Sequence, residues 1–132
     1  ISALKTIYPF LEVSSIGTSV LGRSLQAIRF GTGTKEVFYS GAIHANEWIT
    51  SLILLEFLHE YCDAIQNNSI IGGFSATRLF ESVSIYIMPM VNPDGVDLVT
   101  GFLNTSSTAF EHPSSIVKRS LSQSQEVPSF LS

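Results

Sequence analysis

Gly41-Ala42-Ile43-His44-Ala45-Asn46-Glu47-Trp48-Ile49 stands at a change of periodicity. An apolar run, Val37-Phe38-Tyr39, leads into it, and a long helical pattern leads out. A switch of this kind marks a strand passing into a helix. His44 and Glu47 lie three residues apart at that passage. His44 closes the turn, and Glu47 falls in the first helical turn, where a carboxylate suits the positive end of the dipole. An imidazole and a carboxylate so placed can take one Zn²⁺ from the same side, as part of a His₂Glu set with an open fourth position. The spacing alone leaves a plainer reading open. A strand-end His can bond a backbone group, and an early-turn Glu can serve as a helix cap.

Upstream, Phe10 to Gly17 alternates imperfectly and ends at glycine, as a strand does. Ser24 to Gly31 alternates more clearly, with Leu25, Ala27 and Arg29 on one face and Gln26, Ile28 and Phe30 on the other. The two runs read as a hairpin around Thr18 to Arg23. Glu36 to Ile43 is the third strand, almost wholly apolar from Val37, and is expected to be central in its sheet.

Downstream, the apolar stripe from Ile49 through Leu58 to Ile65 predicts a helix of about five turns, starting near Asn46 and packed on a sheet. Asn67-Asn68-Ser69 ends it, and Gly72-Gly73 is a turn. Ser75 caps a short helix. Val83 to Val91 is β-branched and aromatic and reads as a buried strand. Asn92-Pro93-Asp94-Gly95 is a turn by its chemistry, and Val96 to Gly101 forms one helical turn closed by glycine. The order is α/β with an antiparallel start: a mixed β-sheet with flanking helices. The crossover after His44 makes the third and fourth strands parallel neighbours or near neighbours. His44 and Asn92 then both lie beyond carboxyl ends of strands, where such sheets bind ligands.

Composition narrows the function classes. The 132 residues are 45% hydrophobic and 14% charged, with a formal net charge of -4. No basic stripe appears, so a nucleic-acid partner is not expected. No apolar run reaches membrane-spanning length. The start, Ile1-Ser2-Ala3-Leu4-Lys5, has neither an initiator Met nor a secretory pattern, and reads as excised from something longer. Cys62 is the only cysteine and reads as a small buried hydrophobe. Ser114 to Ser132 holds seven serines and little periodicity. The expected division is therefore 1–110 as the structured part and 111–132 as a poorly ordered tail, with a short helix around Ile116 to Leu121.

Two segments together, Gly41 to Ile49 and Pro89-Met90-Val91-Asn92-Pro93-Asp94-Gly95-Val96, resemble the zinc metallocarboxypeptidase family. The resemblance is nearest to its bacterial branch that cleaves γ-D-glutamyl–diamino acid bonds in peptidoglycan peptides. Ser15 to Arg23 and Ile71 to Ala76 agree as well, in the family's order and spacing. The resemblance runs from about Phe10 to about Gly101. It implies a partial zinc-carboxypeptidase-like fold, with a catalytic zinc on His44 and Glu47. It implies a peptide or peptidoglycan-peptide substrate, and a bacterial cytoplasm or cell-envelope setting. In that family a second His completes the metal site, a downstream Glu is the general base, and an Asn-Arg pair grips the substrate carboxylate.

None of those downstream groups is found here, so no catalytic residue is identified in the chain. His112 sits in unpatterned sequence and reads as a loop residue rather than a ligand. Glu111 and Glu126 as bases, or Arg119 as a clamp, have nothing to position them. His59 reads as a helix-surface residue and Trp48 as packing between helix and sheet. Asn46 flanks the metal pair. Asn92 and Asp94 read equally as orienting groups for the site or as a structural turn. Three functions follow. The first is a zinc-dependent peptidase of which this chain is an incomplete, inactive piece. The second is a non-catalytic fragment or pseudo-enzyme with a partial metal site and a binding role. The third, an unrelated α/β domain with a coincidental H-x-x-E, requires His44→Ala to leave metal binding unchanged. Exposed sheet edges in a half-domain also predict self-association.

Overall fold

Antiparallel pairing comes first in the chain and parallel pairing second. In the computed structural model, which describes residues 1–103, the elements are α1 (Ser2–Ile7), β1 (Glu12–Thr18), β2 (Ser24–Phe30) and β3 (Lys35–Ser40). A 3-10 turn (Ala45–Glu47) then leads into α2 (Ile49–Gln66). After it come β4 (Ile70–Ile71), β5 (Phe74–Ser75), α3 (Ala76–Ser82), β6 (Val83–Met88) and α4 (Pro93–Val99). The foreseen tail and its short helix lie outside the described residues.

The four-stranded sheet has the order β1-β2-β6-β3. β1 and β2 form the expected hairpin, with a bulge between Ser15 and Gly17. β6 runs antiparallel to β2 and parallel to β3, so the parallel crossover through α2 is present. β6 is buried on both faces. Ile85 and Ile87 join Ile28 and Phe30 of β2 against Leu58, Tyr61 and Cys62 of α2. On the other face Ser84 donates to the Gly33 carbonyl at 2.7 Å. Phe30 meets Tyr61 edge-on at 5.2 Å.

Several expectations need correction. β3 is an edge strand among the described residues, not a central one, and it stops at Ser40 rather than Ile43. Its residues are all exposed. An apolar run signals a strand built to be covered, but says nothing about which part of a chain supplies the cover. The last strand ends at Met88, because the proline at 89 has no N–H to donate to a ladder. Asn92 to Gly95 is the opening of α4 rather than a free turn. Asn92 Oδ1 accepts from the Gly95 N–H at 3.0 Å, and Pro93 takes a first-turn place where its missing donor is harmless. Gly72 and Gly73, both at positive φ, close the small β4–β5 hairpin. Ser75 caps α3 as expected, accepting from the Arg78 N–H at 3.4 Å.

α1 was not foreseen. It is pinned through Tyr8, which is fully buried and donates to Asp63 Oδ1 at 2.5 Å. The same hydroxyl lies 2.5 Å from His59 Nδ1, so His59 is a contact between elements rather than a purely solvated surface residue. Gln66 Nε2 adds a bond to the Ile7 carbonyl at 3.1 Å.

Cys62 is fully buried, as its sequence context suggested, and burial pushes its thiol up to about 12. Burial and the Asp63 carboxylate also raise Tyr8 above the ordinary phenol range. Both groups keep their protons in the folded chain after the unfolded chain begins to lose them, from about pH 8.5 for a free thiol. Their stabilising contribution is whole below that pH and drains away as pH rises toward the folded values. The urea midpoint should therefore fall steadily from pH 8 to 11, and Cys62→Ala should flatten part of that fall. A midpoint that rises over this range would contradict the assignment. Cys62 should also stay unreactive toward a thiol reagent at pH 8 until the chain unfolds.

Candidate metal centre

β3 and β6 leave the sheet side by side, and three backbone bonds keep their continuations together. The Gly41 N–H donates to the Met88 carbonyl at 3.0 Å. The Val91 N–H donates to Gly41 at 3.0 Å, and the Asn92 N–H to Ala42 at 3.1 Å. His44 and Asn92 therefore emerge at one end of the sheet.

The chain turns at Ala42, which is buried and holds φ at +49°. A left-handed conformation costs a non-glycine residue about 1–2 kcal/mol and recurs where a site needs an exact aim. Thr50 holds the bend. Its hydroxyl accepts from the Ala42 N–H at 2.7 Å and donates to the Glu47 carbonyl at 2.7 Å. The Glu47 N–H closes onto the His44 carbonyl at 3.0 Å. Thus Glu47 belongs to a separate 3-10 turn ahead of α2, not to the helix's own first turn. α4 packs against this turn from the other side.

These contacts bring the two sequence-selected residues together. His44 Nδ1 lies 3.2 Å from Glu47 Oε2, and both side chains are exposed. Zinc bonds of about 2.0–2.2 Å at a near-tetrahedral angle set two donor atoms roughly 3.3 Å apart. The pair therefore fits one ion with little rearrangement. It remains a pair: among the described residues no group of three His, Cys, Asp or Glu could hold a metal. His112, Glu111, Glu126 and Arg119 lie outside the described residues.

The flanking residues divide. Trp48, expected to pack between helix and sheet, is 41% exposed, as are its chain neighbours Ile43 and Ile49 in larger part. Asn46 is exposed too. Asn92 works as the α4 cap, and its Nδ2 reaches the Ile43 carbonyl at 3.5 Å. Asp94 turns away to the β1–β2 turn, accepting from Ser19 Oγ at 2.7 Å and from the Leu21 N–H at 3.0 Å. The bend at Ala42 and the role of Thr50 were missed by sequence reasoning, since neither residue type announces such a conformation.

Comparison with known proteins agrees with the fold. The sequence profile of the zinc carboxypeptidase family matches residues 1–120. The γ-D-glutamyl-L-diamino acid endopeptidase 1 of Lysinibacillus sphaericus is 44% identical over 99 residues, covering 75% of this chain and 25% of that protein. Carboxypeptidase B of Astacus astacus is 30% identical, covering 72% of this chain and 30% of its own length. The structure of thrombin activatable fibrinolysis inhibitor superposes with a TM-score of 0.64 at 25% identity, over 74% of this chain and 24% of that one. The chain thus spans about a quarter of the length of the curated relatives it matches. With the mixed sheet, the flanking helices and the profile match in agreement, the chain belongs to the zinc carboxypeptidase family.

Proposed function

We propose that this chain carries the first half of the metal site of a zinc-dependent peptidase, with His44 and Glu47 as two of the protein ligands. The observation behind this is the 3.2 Å approach of His44 Nδ1 to Glu47 Oε2 at the carboxyl end of a parallel strand pair. The substrate class that the bacterial relative suggests is a peptide or γ-D-glutamyl amide bond, as in peptidoglycan peptides. When bound, zinc polarises a carbonyl oxygen and lowers the pKa of its water. The chain's own part is to hold the two donors in place through the Ala42–Thr50 bend.

A working site uses three protein ligands and an open position. Two ligands hold zinc weakly, so the 132 residues alone should bind it without hydrolysing a γ-D-glutamyl peptide. That incomplete ligand set also favours a second reading, a non-catalytic fragment with a partial metal site and a binding role.

Zinc titration against a chromogenic chelator tests the assignment. His44→Ala and Glu47→Ala should each weaken zinc binding at least tenfold, while His59→Ala leaves it within twofold. Equal affinity in all three variants would sink the proposed ligand pair. Turnover of a γ-D-glutamyl peptide by the 132 residues would show the catalytic set to be complete within them, against the view of an inactive piece.

A further inference from the structure

The turn that carries Glu47 is supported from two sides. On one side the Thr50 hydroxyl bonds Ala42 and Glu47, to either side of His44. On the other side lies α4. Of the turn residues Ala45–Glu47, Ala45 alone is not exposed. It meets α4 at Gly95, where a Cβ would stand 2.9 Å from the Ala45 Cβ.

Gly95 is not among the residues at positive φ. It lies inside a helix, where alanine is the better helix former. Backbone conformation therefore gives no reason for a glycine here. The close approach to Ala45 does.

We infer that Gly95 is a positioning residue for the metal pair: by carrying no side chain it lets α4 seat Ala45, and so sets where His44 and Glu47 stand. This rests on the reading of His44 and Glu47 as zinc ligands. Non-bonded carbons settle at about 3.5–4.0 Å, so a methyl group at Gly95 would force roughly 0.6–1.1 Å between helix and turn. The helix is the firmer side. Pro93, Val96 and Asp97 are buried, Asp94 is bonded to Ser19 and Leu21, and Asp97 is paired with Arg23. The turn therefore gives way, and it moves two donors that now stand 3.2 Å apart. Metal sites hold their ligand distances to about 0.2 Å, well under that displacement. The same methyl group would stand 2.5 Å from Asn92 Nδ2, the amide that reaches the Ile43 carbonyl. The chain is thus disturbed at both neighbours of His44.

Zinc titration of the 132-residue chain against a chromogenic chelator, well below its melting point, tests this, with circular dichroism to check the fold. Gly95→Ala should weaken zinc binding about tenfold. Adding Ala45→Gly takes away the opposing methyl group. The double variant should return to within about twofold of Ala45→Gly alone, the coupling expected of residues in contact. Ala45→Val crowds the contact from the turn side and should also lose about tenfold; it carries the test if Gly95→Ala fails to fold. Unchanged affinity in Gly95→Ala and Ala45→Val, with His44→Ala weakened, overturns the positioning role and leaves the ligand pair standing. A loss that Ala45→Gly does not relieve overturns it as well, because the contact is then not the cause. If His44→Ala also binds zinc like the parent, the ligand reading falls and this inference falls with it.

Discussion

Gly31→Ala is expected to cost about 2–5 kcal/mol, as the sum of an overpacked contact and a forced left-handed residue. The chain leaves β2 at this residue with φ at +100°. A methyl group there would sit 2.0 Å from the Val83 carbonyl oxygen and 3.1 Å from the Ser84 Cα. Those are backbone atoms at the start of β6, the strand bonded on both sides, so they cannot move without breaking a ladder. The same crossing carries the Thr32 N–H bond to the Phe80 carbonyl at 2.8 Å and the Ser84 hydroxyl bonds to Gly31 and Gly33. Gly72→Ala is the control. It holds φ at +57° with open space around it, so it should cost only about 1 kcal/mol. Urea unfolding followed by circular dichroism measures both. Against a typical stability of about 5–15 kcal/mol, the first loss is a large share and the second is small. Equal costs would show that φ alone matters and that the close approach does not.

What the sequence disclosed follows from which physical signals are local. The β1–β2 hairpin, the length of α2, the Ser75 cap and the parallel crossover each rest on periodicity or on one capping side chain. All four are present in the structure. The His44–Glu47 pair was legible for the same reason: three-residue spacing at a strand-to-helix passage leaves few other arrangements. β3, read as central, lies at an edge among the described residues, and its apolar run is the same whether its cover is near or far in the chain. The bend at Ala42 left no trace, since alanine has no preference for positive φ. Only the three bonds to residues 88–92 and the Thr50 hydroxyl make the bend pay. Trp48 shows the limit from the other side. A large aromatic reads as core by composition, yet here it is exposed, together with much of the apolar early circumference of α2.

Asp94→Ala should be the second severe substitution, at about 2–4 kcal/mol: two bonds to a charged group, each worth at most about 1.5–3 kcal/mol, are lost, and both are only part-buried, so solvent offsets some of their sum. Sequence left Asp94 open between a role at the metal and a structural turn. Its carboxylate spans from the first turn of α4 to the β1–β2 turn, taking the Ser19 hydroxyl and the Leu21 N–H. The Arg23–Asp97 ion pair runs beside it and ties the same two elements. Truncation frees the Leu21 N–H and removes a negative charge from the helix's positive end. Asp94→Asn should fall between, because its amide offers one acceptor oxygen and sets an N–H group against a donor. Zinc affinity decides what kind of residue Asp94 is. It bonds neither His44 nor Glu47, so the alanine variant, measured well below its melting point, should bind zinc within twofold of the parent. A tenfold loss of zinc affinity with an unchanged urea midpoint would instead make it an orienting group of the metal site. The expected pattern, a large loss of stability with zinc binding intact, would mean that α4 is clamped from the hairpin side and that the metal pair keeps its place without that clamp.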